Sequence, residues 1–373
     1  MNSANVELEK NGIKVVCPVS AYNVSQIASY VANHLYARFP TLKISYNILY
    51  NEISHIPMYI AQMPVGMADA CYFYKNSSIY FRAGLKFDTV ERLAFHECIH
   101  HFQEVKDNKG VLRKLGLCTY AKGRAFGNSM NEAAVQFMTS YGTFEKRDVV
   151  KYYDVTFPTD SPSYYPMLVN LIKQISYLTG YATLFESTVY ANDAFFNKFK
   201  EEFGTKSAYK IQEGFDKLLE VEEKIIRINN KMQTKDLSAK RLKKYTDNVN
   251  NLKLDLKRIF FNTQNLIITS YFDTRTHQIR TVEQINEYRK CLYNYSNLIG
   301  TSHNYSFFND YYIAKMSELD KIYEKLTNPS MALSIRPEDG VAKSRFRRFV
   351  NAIKKLFGLN RQSEYFTNEN QYK

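Results

Sequence analysis

Residues 96 to 101 read His-Glu-Cys-Ile-His-His, and three of them have the types and spacing to hold and use a metal ion. On a helix with 3.6 residues per turn, His96 and His100 project from one face, while Glu97 stands about 100° round from His96. Zinc takes neutral imidazole nitrogens as ligands, lowers the pKa of its water to about 7 and polarises a carbonyl oxygen. A neighbouring carboxylate then takes the proton of the attacking water. The chemistry this predicts is hydrolysis, with His96 and His100 as ligands and Glu97 as general base. The chain has only 7 histidines in 373 residues, so the pattern is not a by-product of composition.

A catalytic zinc usually has three protein ligands and one open position, so a third donor is needed. After His101 no histidine occurs until His277. The segment 127–138 reads as a second helix, with Glu132 in its first turns and Gln136 one turn later on the same face. H-E-x-x-H followed by a helix carrying Asn131-Glu132-Ala133 resembles the gluzincin branch of the zincin metallopeptidases. The resemblance implies a zincin-like catalytic domain, Zn2+ as cofactor and Glu132 as the third ligand. It also implies a side chain at Gln136 that accepts a hydrogen bond from a zinc-binding histidine. There the thermolysin-like pattern has an acid, and a neutral amide raises the histidine's basicity less.

The 31 residues between His100 and Glu132 exceed the thermolysin-type spacing, so the resemblance is to a divergent gluzincin with no named subfamily. Glu132 has a second reading, since Ser129-x-x-Glu132 is also a capping box in which the glutamate would bond a backbone N–H. A metzincin would need a histidine at position 106, which is Lys106. His101 points about 100° away from His100 and reads as a residue supporting or packing beside the ligands. Cys98, with no partner at ligand spacing, reads as a small buried residue.

The elements that must position these residues are legible around them. Asp88-x-x-Glu91 has the form of a capping signature, and Leu93, Phe95, Ile99 and Phe102 give an amphipathic helix from Asp88 to about Glu104. Upstream, residues 70–74 and 78–81 are aromatic-rich runs separated by Lys75-Asn76-Ser77 and predict a β-hairpin. In the zincin fold an edge strand before the metal helix pairs with extended substrate, so the resemblance makes this hairpin the candidate binding edge. Residues 24–39 read as helix and 42–50 as extended chain. Downstream, 157–162 reads as a loop and 163–179 as a helix with Pro166 early and Gly180 as its stop. Tyr164, Tyr165 and Tyr181 flank that helix and are candidates for stabilising an oxyanion.

Composition bounds the rest. A 45% apolar content supports packed cores, and the predicted class is α+β, mainly helical: a zincin-like catalytic domain with a helical-hairpin or bundle extension. The predicted divisions are 1–205 for the metallohydrolase domain, 206–328 for the helical region and 329–373 for a linker and basic tail. In 206–328, Leu242, Tyr245, Val249, Leu252, Leu256 and Ile259 recur in steps of three and four, which predicts an antiparallel helical hairpin. In the tail, 341–357 sets Phe346, Phe349, Val350, Ile353, Leu356 and Phe357 on one face among Lys and Arg, a basic amphipathic helix suited to an anionic membrane surface or an acidic partner. The net charge of +13 fits that, and no nucleic-acid module is recognisable. Five cysteines without paired spacing, no signal-peptide pattern and no run of 18 apolar residues lead to the expectation of a cytoplasmic protein, with export by a non-classical route left open.

The function expected from the sequence is a zinc metallopeptidase acting on a peptide or protein substrate. Two alternatives stand beside it: a zincin-scaffold interaction protein without catalysis, and a zinc hydrolase of a non-peptide substrate.

Overall fold

The computed structural model describes residues 3–121, 123–142, 148–234, 237–299 and 307–328. The fold is α+β and mainly helical. Of the described residues, those up to Ile279 with those of Tyr288–Tyr312 form one compact unit, and Arg280–Glu287 with Ile313–Asn328 a second. The helical hairpin therefore falls in the same unit as the residues before 205. The basic tail at 341–357 lies outside the described residues. Among the described residues no helix is long and apolar enough to cross a membrane.

The first unit opens with α1 (Ser3–Lys10), β1 (Lys14–Pro18), α2 (Ala21–Arg38), a 3-10 turn (Pro40–Leu42), α3 (Tyr46–Ser54) and β2 (Met58–Gln62). Next come β3 (Ala70–Phe73) and β4 (Ser78–Arg82). These strands form one sheet in the order β1-β2-β4-β3, with β3 at its edge. The predicted hairpin is this antiparallel β3/β4 pair, with Cys71 opposite Tyr80 and Tyr72 opposite Ile79. The parallel β2/β4 pair buries Ile79, Tyr80 and Phe81 at the centre of the sheet. Arg82 pins the loop that enters β3: its guanidinium donates to Asp69 and to the carbonyls of Met63 and Met67.

The sheet leads into α4 (Phe87–Phe102), which carries the histidine motif. A meander of β5 (Glu104–Lys106), β6 (Leu112–Leu115), β7 (Cys118–Ala121) and β8 (Arg124–Phe126) follows, then α5 (Asn128–Ser140), which carries Glu132. A ribbon of β9 (Asp148–Tyr152) and β10 (Val155–Thr159) precedes α6 (Pro166–Thr179), α7 (Tyr181–Tyr190) and α8 (Ala194–Phe203). The α6 helix is buried along most of its length, and Gly180 ends it. The long hairpin is α9 (Thr205–Thr234) and α10 (Ala239–Thr276), which pack on each other. The heptad positions Val249 and Leu256 are buried in that seam. Helices α11 (Val282–Ile299) and α12 (Phe307–Thr327) complete the described chain.

Four local expectations are corrected. Residues 42–50 are not a strand: the chain turns at Pro40–Leu42 and enters α3, because Ser45 caps that helix by accepting from Ile48 N, and Leu49 and Ile53 bury one turn apart. Asp88 does not cap α4. The helix begins one residue earlier with Lys86 at the cap position, and Asp88 accepts from Thr89 N in the first turn, where a carboxylate favours the positive end of the dipole. Residues 157–159 are strand rather than loop, since β10 pairs in register with β9 from Val155 to Thr159. The Ser129 capping box is absent too. Gly127 occupies the cap position with φ 83, a left-handed backbone suited to glycine, and Ser129 lies buried inside the helix.

Candidate metal centre

The centre is built where α4 packs on α5. Four-residue spacing puts His96 and His100 on the face of α4 that meets Glu132. The two Nε2 atoms are 3.1 Å apart, His96 Nε2 is 3.4 Å from Glu132 Oε2, and His100 Nε2 is 3.6 Å from Glu132 Oε1. A tetrahedral ion with bonds of about 2.1 Å needs donor atoms separated by ~3.4 Å. The three separations fit that requirement. Among the described residues, this is the one group of three or more His, Cys, Asp or Glu side chains close enough to share an ion.

The hydrogen-bond network fixes which ring nitrogen of each histidine is free. Ser161 Oγ donates to Tyr164 O at 2.6 Å, so it accepts from Gln136 Nε2 at 2.9 Å. Gln136 Oε1 is thereby left to accept from His96 Nδ1 at 3.0 Å. Around His100 the anchor is the main chain: Leu117 N donates to Asn131 Oδ1 at 2.9 Å. Asn131 and Gln103 then exchange two amide hydrogen bonds of 3.2 Å, and Gln103 Oε1 accepts from His100 Nδ1 at 2.9 Å. Gly116 makes room for this pair, because a Cβ there would overlap both Asn131 Oδ1 and Gln103 Nε2.

Each imidazole thus carries its proton on Nδ1 and turns a lone pair on Nε2 toward the Glu132 carboxylate. Three acceptors facing one another are favourable only with a cation among them. Without a metal, a proton fills that role. Burial opposes a charge on His100, but the Glu132 carboxylate outweighs it and lifts the histidine to about 9. Burial would raise Glu132, but His100 and His96 hold its carboxyl far below the usual carboxylate range.

Glu97 is buried, and its Oε2 accepts from Tyr72 N on the edge strand β3 at 2.7 Å. This bond ties the carboxylate beside the histidines to the strand that bounds the site. His101 turns away from Glu132: its Nδ1 is 3.2 Å from Tyr72 Oη, its ring meets Tyr72 edge-on, and burial lowers its pKa. Burial, helped by the Glu97 charge, pushes the Cys71 thiol up to about 12 and the buried Cys98 thiol higher still, so neither offers a thiolate to the centre.

The three tyrosines separate. Tyr165, with φ 48, caps α6 just before Pro166. Its phenol is held above the ordinary tyrosine range by burial and then by the fields of Glu132, Glu222 and Glu97, so it keeps its proton at neutral pH. Tyr164 is exposed and meets the network through its carbonyl oxygen. Tyr181 packs in an aromatic cluster with Phe137, Tyr141 and Phe185.

Sequence reasoning missed Gln103 and Asn131, which orient His100. Gln103 was within reach of it, standing three residues after His100 and so on the same face of the helix. Asn131 carried no such signal, because its partners come from the β6/β7 turn and the end of α4. No protein-family model, curated protein or solved structure matches the chain.

Proposed function

We propose that the chain is a zinc-dependent peptidase of gluzincin type, acting on an extended peptide. The observation that carries this reading is the convergence of His96, His100 and Glu132 at tetrahedral spacing, with both Nδ1 protons held by amide oxygens. A zinc ion held by those three side chains would supply Lewis-acid polarisation of the scissile carbonyl and an acidified water. Glu97 takes the proton of the attacking water and returns it to the leaving amine. Tyr165, protonated at neutral pH, donates a hydrogen bond to the oxygen that gains charge. β3 is the edge of its sheet, the side on which an extended chain would add as a further strand, and this favours a peptide over a compact small molecule.

Elemental analysis of the purified protein is expected to return one zinc per chain, and digestion of a peptide library to yield defined cleavage products. Stoichiometric zinc without peptide cleavage would move the reading to a non-peptide hydrolase. Absence of both would leave a scaffold that binds partners without catalysis.

A further inference from the structure

The α9/α10 hairpin changes character along its length. Toward its base, cations pair with acids one turn away: Lys217 with Glu213, Lys224 with Glu220, and Arg258 with Asp255. Past Ile225 and Val249, the last deeply buried seam residues, that pairing stops. In sequence, 226–248 holds seven cations against two acids, Asp236 and Asp247, and among the described residues Arg227, Lys231, Lys240, Arg241, Lys243 and Lys244 are all exposed. Arg227 donates to the Glu223 carbonyl, and none of the six has an acidic partner among the described residues.

Exposed aliphatic side chains stand among these cations. Ile226 is 39% and Leu242 46% exposed, and Ile228, Met232 and Leu237 are half-buried. The loop entering β3 adds Val65, 73% exposed, next to Gly66, whose close approach to Asn230 of α9 leaves no room for a Cβ.

We propose that this hairpin tip docks on an anionic lipid surface. Unpaired cations are attracted by acidic headgroups, contributing about fivefold in affinity per basic residue near the surface. Aliphatic side chains at the same level gain by entering the boundary between headgroups and acyl chains. A nucleic-acid backbone would use the cations but not Ile226, Leu242 and Val65. Nor does the tip present an exposed aromatic ring for base stacking, since Tyr245 is half-buried. The proposal does not depend on the metal centre. Docking there would bring the lipid surface next to the loop that leads into the edge strand, and so next to the substrate's entry under the reading above.

The test uses the full chain and sedimentation with vesicles of phosphatidylcholine and phosphatidylserine at 7:3, against phosphatidylcholine alone, in 0.1 M salt. The wild type is expected to sediment only with the mixed vesicles. Combined Lys240→Glu, Arg241→Glu, Lys243→Glu and Lys244→Glu is expected to weaken that binding at least about tenfold, with the thermal midpoint unchanged because all four side chains are exposed. Leu242→Ser, which keeps every charge, is expected to give a smaller loss that persists at higher salt. Undiminished binding by the fourfold variant would place any membrane affinity elsewhere in the chain and overturn the proposal. Equal binding to neutral vesicles, or affinity for duplex RNA with none for the mixed vesicles, would overturn it as well.

Discussion

The α4/α5 pair and the α9/α10 hairpin are both helix-on-helix packings, yet they bury opposite kinds of residue. Between α4 and α5 the interface includes His100, Gln103 and Asn131, and Glu97 is buried beside it against β3, each less than 9% exposed. The hairpin seam buries Leu218, Ile225, Val249, Leu256 and Phe260. Burying aliphatic side chains needs no further account, since each stabilises the fold by about 1.5–3 kcal/mol. Burying a carboxylate, an imidazole and two amides costs free energy unless every polar atom finds a partner. In α4/α5 the partners are found, atom by atom, and the remaining lone pairs converge on one point. The difference separates a packing of largely apolar side chains from one whose polar groups are held in fixed orientations.

The largest expected effect breaks the comparison at its chemical centre. Glu97→Gln keeps the size of the side chain and an oxygen for Tyr72 N, but cannot take a proton. It is expected to retain zinc and to lose 10²-fold to 10⁴-fold in peptidase rate, roughly what general-base assistance provides. Turnover of a verified substrate at the parental rate would remove Glu97 from the mechanism.

Glu132→Ala comes next, with Ser129→Ala as its control. Glu132 faces His96 and His100 and has no cap to make, so its loss is expected to cut zinc affinity by more than about a hundredfold, beyond what loss of a supporting partner costs. Ser129→Ala is expected to bind zinc as the parent does. Parental zinc affinity in Glu132→Ala, measured by competition with a chelating dye, would leave the third ligand unassigned.

A smaller effect sharpens the account of orientation. Gln103→Leu and Gln136→Leu each remove the acceptor for one histidine Nδ1 proton, and each is expected to weaken zinc binding about 10-fold to 100-fold. The greater loss is expected for Gln103→Leu, because its amide is buried and its removal also strands Asn131. Equal zinc affinity in all three proteins would mean that packing alone orients the rings.

How much of this was legible in the sequence depends on the distance over which each signal acts. The histidine face of α4, the Gly180 stop and the seam of the long hairpin are written within one or two helical turns, and the sequence shows them. The Ser45 cap that turns 46–54 into helix was equally local, but the β-favouring run Ile44–Tyr50 obscured it. Ser129-x-x-Glu132 matched a capping pattern because the same spacing serves two purposes, and only the helix start at Gly127 separates them. The β5–β8 meander, with strands of three or four residues, falls below the length at which alternation can be read. The network through Asn131 joins residues from three elements, and no periodicity encodes it.

The smallest expected effect tests the hairpin side of the comparison, where Glu222 is the one buried charged residue among the described residues of α9 and α10. Glu222 of α9 is 6% exposed and accepts a hydrogen bond from Tyr152 Oη. Burial raises its pKa above the ordinary carboxylate value, and the Tyr152 bond offsets this only in part. A raised carboxyl pKa means that the folded chain binds the proton more tightly than the unfolded chain. The favourable contribution is therefore complete below the unfolded value of about 4.3 and is lost as pH rises through the folded value. Glu222→Gln keeps the oxygen that faces Tyr152 and removes the buried charge. It is expected to raise stability at pH 7 by less than about 2 kcal/mol and to change it little below pH 4. Denaturant melts at both pH values check this. Destabilisation at pH 7 would mean that the ionised carboxylate has a cationic partner at that position, which would make this stretch of the hairpin a second buried ionic site rather than a packing face.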